Sequence, residues 1–254
     1  MHAPPLLPVL ALDTATETIA AGLHAGGVSF TVSAPGGALA SSQLLPLLKT
    51  LLDRAGLEWR ELHAIAFGQG PGAFTGLRTA CAVAQGLAYG IGCRLLPLDS
   101  LLIVAEDARA QAETLGVGQA DCDVAVAMDA RMDEAYAARY RWQGGHWQVL
   151  QAPALYTLPA LNAAWSSASA HGLVAGSALA AFGARLMLPA GWQQIEHEQN
   201  RAAALLGLAL RAALSSEGLD PADALPLYLR DKVALTTAER AAVKALAPVD
   251  GSLR

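Results

Sequence analysis

The sequence predicts an α/β fold built from two loosely duplicated halves. Each half opens with strand-like runs separated by short polar or glycine turns, and each continues with buried strands that alternate with helix-like stretches. The first half has the order βββαβαβα, and the second half repeats this order more loosely. We place the join near "LGVGQADC". This predicts one half over residues 1–115, a second half over 116–235, and a C-terminal tail over 236–254.

Composition and charge narrow the class of protein. Of the 254 residues, 54% are hydrophobic and 15% are charged, but much of the apolar excess is alanine, which favours compact helices over membrane spans. The opening "MHAPPLLPVLALD" lacks the basic start of a signal peptide, so we expect a cytoplasmic protein. Its net charge of −5 argues against unaided binding to a nucleic-acid backbone. Three widely spaced cysteines predict neither a disulfide framework nor a zinc site.

The first half can be divided into elements from its turns. An apolar run ends at Leu12, a polar turn follows, and a second strand runs to the glycines at Gly26, after which "VSFTVS" completes an antiparallel meander. Ser41 or Ser42 is expected to cap a helix that Gly56 ends. The segment "HAIAFG" predicts a strand buried on both faces. A helix ("TGLRTACAVAQGLAYG"), a strand ("CRLLPLD") and a helix ("SLLIVAEDARAQAETLG") follow.

The second half follows the same plan with weaker signals. "CDVAVAMDARMDEAYAARYRWQGGHWQVLQ" predicts a strand to Asp129, a strand from about Glu134, and a third strand after the glycines at Gly145. "LVAG" predicts a further strand, and "RAAALLGLALRAALSSEG" predicts a helix that ends at Gly218. The closing "TTAERAAVKALAPVDGSLR" is expected to fray.

The loop "GQGPGA" lies between a strand and a helix and superficially matches a dinucleotide-binding fingerprint. Its context argues against one, because the nearest acidic partner for a ribose, Asp99, lies too far along the chain. Pro71 also removes an N–H that a phosphate would need. No Gly-Lys-Ser/Thr follows, which excludes a Walker A loop. We therefore predict a tight turn that begins a helix.

The turn "DTATET" is the better candidate for a phosphate. Asp13, Thr14 and Thr16 could offer hydroxyl groups and amides to a phosphate and a carboxylate to magnesium. A polar turn between two strands needs no ligand, however, and the residues alone favour that simpler interpretation. The corresponding turn of the second half, "MDARMDEAY", would present two carboxylates to an anionic phosphate.

Two predicted helices are more apolar than a single contact requires. In the helix over 77–89, Arg78, Gln85 and Tyr89 share one strip, and the remaining arc of roughly 260° carries small or apolar side chains. The helix over 43–55 has a wide leucine arc. We predict a protein interface here, with Ala84 on the exposed side, although other parts of the chain could cover these faces. The predicted interface residues are Leu45, Leu48, Leu52, Pro71, Phe74, Thr75, Arg78, Thr79, Ala80, Val83, Ala84 and Leu87.

Signals for catalysis and for metal binding are weak. The sequence contains no GxSxG nucleophile elbow, and "EHEQNR" around His197 lacks the second histidine of a zinc HExxH helix. We therefore predict no catalytic residue and no metal site.

Five segments together resemble the TsaB family of dimerisation subunits in bacterial tRNA threonylcarbamoyladenosine synthesis. They are "LALDTATETIAAGL", "SSQLLPLLKTLLDRAGL", "IAFGQGPGAFTGLRTACAVAQGLAYG", "MDARMDEAYAARY" and "PLYLRDKVA". The resemblance covers most of the chain in order, and "GPGAFTGLR" is its most specific motif.

The resemblance implies a catalytically degenerate, actin-like and sugar-kinase-like (ASKHA) fold. It implies a subunit that pairs with a TsaD transferase paralogue, helps to recruit a TsaE ATPase, and meets tRNA only indirectly. ATP and metal are then expected in the partner subunits, with no cofactor bound by this chain alone. TsaD-like proteins carry an HxxxH metal motif, and Ser41 stands where the family often keeps a histidine. Asp13, Thr14 and Thr16 would be a relic of a phosphate loop.

Two alternatives stay open at this point. One is a glycoprotease-like metallopeptidase, which the missing histidine pair disfavours. The other is a stand-alone small-molecule kinase of the same fold, which the altered second turn disfavours. The sequence also leaves open whether the chain forms a homodimer when it is alone.

Overall fold

Two five-stranded sheets form the framework of the chain. The structure is a computed structural model that describes residues 7–116, 121–166, 171–215 and 217–230. The first half contains β1 (Val9–Asp13), β2 (Thr18–Ala25), β3 (Val28–Pro35), α1 (Ala40–Ala55), β4 (Ala64–Gly70), α2 (Phe74–Ile91), β5 (Arg94–Asp99) and α3 (Ser100–Thr114). The second half contains β6 (Cys122–Asp129), β7 (Glu134–Gln143), β8 (His146–Thr157), α4 (Leu158–Trp165), β9 (Leu173–Ala175), α5 (Ala178–Phe182), β10 (Gln193–Ile195) and α6 (Arg201–Ser215).

The two sheets share one topology. The first has the order β3-β2-β1-β4-β5, and the second has the matching order β8-β7-β6-β9-β10. In each sheet the first three strands are antiparallel neighbours and the last two run parallel to the first. The predicted α/β class and the duplication are confirmed. The matching order of the two sheets agrees with the duplicated fold that the resemblance implied.

The ends of the long helices follow from local residues. Gly56 ends α1 in the left-handed conformation, with φ of 67°, as its position in the sequence predicted. The predicted serine cap is wrong. Helix α1 begins at Ala40 directly after a short 3₁₀ turn, and Leu39 occupies the cap position without a side-chain hydrogen bond. The Ser42 hydroxyl instead donates back to the Leu39 carbonyl.

The helices of the two halves are interleaved. Helices α1 and α2 pack on one face of the first sheet, where Leu10, Ile65 and Phe67 contribute to a buried cluster. The opposite face of the first sheet is covered by α6, from the second half of the sequence. Helix α3, from the first half, packs on the second sheet. The predicted boundary near residue 116 separates the two sheets but not these two helices, and it stays a prediction.

The weakest sequence signals belong to short elements. Helices α4 and α5 and strand β10 did not follow from the sequence, and β10 is only three residues long. The predicted tail over 236–254 lies outside the described residues. Within the parts of the chain that the structure describes, no helix is long and apolar enough to cross a membrane.

Candidate functional site

A cleft of about 640 Å³ lies where the turns of the two halves face each other. Its walls come from the turn after β1 (the first turn), the glycine loop before α2, the turn after β6 (the second turn), the start of α3, the residues just before α6, and the segment over 227–230. Its lining includes Thr16, Glu17, Pro71, Phe74, Leu77, Ser100, Asp129, Arg131, Met132, Glu198, Arg201, Tyr228 and Arg230. Asp13 is absent from this lining, although it was predicted as the carboxylate of the site.

The Asp13 side chain is fully buried, and both of its carboxylate oxygens accept hydrogen bonds. Its Oδ2 accepts a hydrogen bond from Nε of Arg201 at 2.9 Å, and its Oδ1 accepts one from the Ser100 hydroxyl at 3.2 Å. Gly68 makes room for it, since a β-carbon on Gly68 would stand 1.7 Å from Oδ1. The carboxylate is therefore held in place by the protein itself.

Arg201, at the first position of α6, covers Asp13 from the cleft side. Its guanidinium also pairs with Glu198 at 2.6 Å and approaches the Ser100 carbonyl at 3.4 Å. Burial alone would lower the pKa of Arg201, but the charges of Asp13 and Glu198 and their hydrogen bonds raise it above its ordinary value. Sequence reasoning missed Arg201, because it considered "EHEQNR" only as a metal motif and Asp13 lies 188 residues away.

The threonines of the first turn are also used internally. Thr14 donates its hydroxyl proton to the Gly76 carbonyl at 2.7 Å. Thr16 forms a local turn with Thr18, in which its hydroxyl contacts both the amide and the carbonyl of that residue. The N–H of Ala73, just before α2, donates to the Ala15 carbonyl at 2.8 Å. The first turn thus packs against the glycine loop and offers neither hydroxyl freely to a ligand.

The second turn has an unusual backbone. Arg131, Met132 and Asp133 have φ of 66°, 57° and 60°, in the left-handed region that non-glycine residues rarely adopt. Arg230 holds this turn: its guanidinium pairs with Glu134 at 2.6 Å and donates to the Ala130 carbonyl at 2.9 Å. The turn is therefore braced by the segment that ends the described chain.

The charged side chains of this cleft bear on whether it could hold a magnesium–nucleotide complex. The three arginines that line it are each paired with a carboxylate: Arg131 with Asp129, Arg201 with Asp13, and Arg230 with Glu134. The Arg201 and Arg230 side chains are 5% and 14% exposed in their pairs, whereas Arg131 is 80% exposed and its contact with Asp129 is 3.4 Å long. Among the described residues, no group of three or more His, Cys, Asp or Glu side chains is placed to hold a metal ion.

The structure corrects the predicted interface. Leu48, Leu52, Ala80 and Ala84 are fully buried in the cluster between α1, α2 and the first sheet, so the prediction that Ala84 lies on the exposed side is wrong, and the other three predicted interface residues are covered by the chain itself. Pro71 is buried in the cleft wall. Helical periodicity identified the wide apolar arc of α2 but did not show which part of that arc the chain itself covers.

The remaining predicted residues lie at or near the surface. Leu45, Thr75 and Arg78 are exposed, and Phe74, Thr79, Val83 and Leu87 are half-buried. Ala82, Gly86 and Tyr89, which were not predicted, complete the exposed strip of α2. Whether this strip is an interface stays a prediction.

The segment over 217–230 crosses α2 and covers its polar strip. Nε2 of Gln85 donates to the carbonyls of Pro221 and Ala224, at 2.9 Å each. Arg78 stacks on the ring of Phe74 at 3.9 Å and donates to the Tyr228 hydroxyl at 3.0 Å. Gln85 and Arg78 therefore contact the chain's own C-terminal segment, and of the two only Arg78 was a predicted interface residue.

Comparison with known proteins gives the family. Residues 38–195, more than half of the chain, match the TsaD family, described as tRNA N6-adenosine threonylcarbamoyltransferase. The chain is 35% identical over 130 residues to the tRNA threonylcarbamoyladenosine biosynthesis protein TsaB of Haemophilus influenzae, covering 51% of this chain and 52% of that protein. It is 35% identical over 144 residues to the TsaB protein of Escherichia coli, covering 55% of this chain and 58% of that protein. The chain thus spans about half the length of these curated relatives.

Solved structures extend the match over nearly the whole chain. A Pseudomonas aeruginosa protein described as similar to the peptidase YEAZ superposes with a TM-score of 0.78 at 34% identity, over 89% of this chain and all of that one. YeaZ from Pseudomonas aeruginosa superposes with a TM-score of 0.75 at 34% identity, over 88% of this chain and 100% of that one. The chain therefore belongs to the TsaD family and, within it, to the TsaB group.

Proposed function

We propose that this chain is a non-catalytic subunit for threonylcarbamoylation of the adenosine next to the tRNA anticodon, and that it pairs with a TsaD-family paralogue. The observation that carries the proposal is the exposed, uncharged strip of α2 formed by Thr75, Ala82, Gly86 and Tyr89. Tyr89 is 80% exposed, which is unusual for a large aromatic side chain on a helix that is otherwise packed against its own sheet. Aromatic side chains of this kind are enriched at protein interfaces.

The small residues of this strip favour a helix as the partner element. Gly86 has no heavy atom within 4 Å of the position where a β-carbon would lie, so a second helix could approach the backbone of α2 closely. Leu45, 45% exposed on the neighbouring α1, adds apolar surface. Arg78, the one charged residue of α2, is already stacked on Phe74. A partner helix would therefore meet little charge to desolvate.

The cleft supports an accessory role. The side chains that were predicted to bind a phosphate, Asp13, Thr14 and Thr16, form hydrogen bonds within the chain. We therefore propose that the chain alone binds no nucleotide and no metal. ATP and metal then belong to the partner subunits, including a TsaE-like ATPase that the pair helps to recruit. Contact with tRNA is indirect, in keeping with the net charge of −5. The place of action is the cytoplasm.

Co-expression with the TsaD-family protein of the same organism tests the pairing, with co-elution in size-exclusion chromatography as the measurement. Ala82→Glu places a charge on the exposed strip and is expected to abolish co-elution. Ala203→Glu is the matched control, because Ala203 is an exposed alanine on α6, which covers the opposite face of the first sheet. Equal co-elution of wild type and Ala82→Glu would refute the pairing surface. Chromatography of the chain alone shows whether it also forms a homodimer.

A peptidase is the second candidate, since one structural neighbour is described by its similarity to a peptidase. The segment "LASSQLLPLL", where the resemblance to TsaD-like proteins places a metal-binding histidine pair, contains no histidine, and this disfavours a metallopeptidase. Peptidase activity that co-purifies with the chain through several columns and is abolished by a chelator would favour this candidate over the accessory role.

A further inference from the structure

Arg201 occupies the position from which a ligand in the cleft would reach Asp13. It lines the cleft, whereas Asp13 behind it does not. Its Nε contacts Asp13 at 2.9 Å and its Nη1 contacts Glu198 at 2.6 Å, so one guanidinium bridges two carboxylates. Both members of the inner pair are withdrawn from water, since Asp13 is 0% and Arg201 is 5% exposed.

A hard divalent metal ion can bridge two carboxylates in the same way as this guanidinium does. Magnesium and manganese bind carboxylate and hydroxyl oxygens. Here those groups are Asp13, Glu198 and the Ser100 hydroxyl, which lies 3.2 Å from Asp13. The guanidinium donates to the two carboxylates and to the Ser100 carbonyl, and its charge is retained at every physiological pH.

We propose that Arg201 is the residue that closes this cleft to a divalent cation, and hence to the metal-bound polyphosphate of a nucleotide. The arginine acts as a built-in cation supplied by the chain. The inference rests on the proposal that the chain alone binds no nucleotide, and it identifies Arg201 as the residue that prevents this binding. It does not depend on pairing through α2.

The surrounding structure maintains this arrangement. Gly68 and Ser100 position Asp13, and the first turn of α6 fixes the backbone of Arg201. Without the guanidinium, the buried Asp13 carboxylate and the partly exposed Glu198 carboxylate would have no compensating charge between them. Such a site either takes up a proton or binds a cation. Removing Arg201 should therefore convert a closed cleft into a divalent-cation site.

Manganese binding tests this directly, with the loss of the free-ion signal in electron paramagnetic resonance as the readout. Arg201→Ala is expected to bind one manganese ion at least about tenfold more tightly than wild type, because the competing charge is gone and the carboxylates are freed. Arg201→Lys keeps a positive charge and should stay like wild type. Asp13→Asn combined with Arg201→Ala should lose the gained site. Gained binding that survives in this double variant would overturn the proposal, and so would a manganese affinity of Arg201→Ala equal to that of wild type.

Thermal unfolding provides a second readout that covers the case of an unstable variant. Manganese should raise the Tm of Arg201→Ala and of Arg201→Gln, or restore their folded circular dichroism spectra, and should leave wild type unchanged. If neither variant is stabilised by manganese, the proposal is refuted. Wild-type protein titrated with ATP and magnesium tests the underlying absence of nucleotide binding separately. Tight binding there would refute that part of the proposed function, whatever the variants do.

Discussion

The Thr14 hydroxyl donates to the Gly76 carbonyl at 2.7 Å, and the two backbones touch at the same place. A β-carbon on Gly76 would lie 1.8 Å from the Thr14 carbonyl oxygen, a distance that no real contact has. The turn that ends β1 and the first turn of α2 are therefore in direct backbone contact, and only glycine allows it.

Gly76→Ala is expected to destabilise the protein by about 3 kcal/mol or more, because the obstacle is backbone that cannot rotate away. Gly86→Ala, in the same helix, is the control. It meets nothing within 4 Å and should stabilise the protein by roughly 0.5–1 kcal/mol through helix propensity. Denaturant unfolding measures both. Similar effects of the two substitutions would show that the close approach is not a constraint.

Glu106→Gln should make the stability less dependent on pH. Glu106 joins α3, α6 and β8 through Arg109, Arg211 and Trp147. Burial acts to raise the pKa of Glu106, but the pairing with the two arginines lowers it below 4.5. The contribution of Glu106 to the free energy of unfolding is therefore complete above pH 4.5, and it is lost as the pH falls through the pKa that Glu106 has in the folded state. We expect a loss of about 2–4 kcal/mol at neutral pH that shrinks in acid.

The control for that experiment is Glu113→Gln, which removes an exposed partner of Arg109. It should change the free energy of unfolding by less than about 1 kcal/mol at any pH. Unfolding in denaturant at a series of pH values measures both variants. A difference between wild type and Glu106→Gln that stays constant into acid would contradict the assignment.

Tyr140→Phe removes a link between the two sheets. The buried Tyr140 hydroxyl, on β7, donates to the Asp99 carboxylate at the end of β5 at 2.5 Å. Burial raises the pKa of Asp99, and the hydrogen bond from Tyr140 partly offsets that rise. The substitution should cost about 1–3 kcal/mol. Because this hydrogen bond favours the ionised carboxylate, the cost should decline as the pH falls through the raised pKa of Asp99. Tyr89→Phe, at an exposed position, should have no measurable effect, and an equal effect of the two would refute the link.

Gln85→Leu should loosen the segment over 217–230 from α2. The substitution removes both hydrogen bonds to the Pro221 and Ala224 carbonyls while keeping the side-chain volume. Amide hydrogen exchange in this segment, including the Leu227 N–H that donates to Gln69, should accelerate about tenfold. Thr79→Val is the control, because the Thr79 hydroxyl bonds only within its own helix. Unchanged exchange in Gln85→Leu would mean that other contacts hold the segment.

Much of the fold followed from local patterns. The meanders were evident because glycine pairs such as Gly26–Gly27 and Gly144–Gly145 separate strand-like runs, and both pairs have positive φ in the structure. The five-residue α5 and the three-residue β10 are too short for periodicity to reveal them. Local patterns also carry no information about which sheet a helix covers, so the interleaving of α3 and α6 could not be predicted.

The cleft was harder to predict than the fold. Asp13, Thr14 and Thr16 were correctly placed in one turn, but their partners come from distant parts of the sequence. Arg201 is 188 residues from Asp13, and its local sequence, which supplies Glu198 as one partner, does not indicate the ion pair with Asp13. Helical periodicity identified the apolar faces of α2 and could not distinguish Ala82, which is exposed, from Ala84, which is buried.

The crossing of α6 onto the first sheet also sets an order of events during synthesis. The strands of that sheet are complete once residue 99 has left the ribosome, yet the face that carries Val9, Ala11 and Ala66 has no cover from α6 until more than a hundred further residues have followed. The growing chain therefore carries a finished but half-covered sheet through the synthesis of its entire second half. A fragment that stops before Arg201 would retain that exposed apolar face permanently.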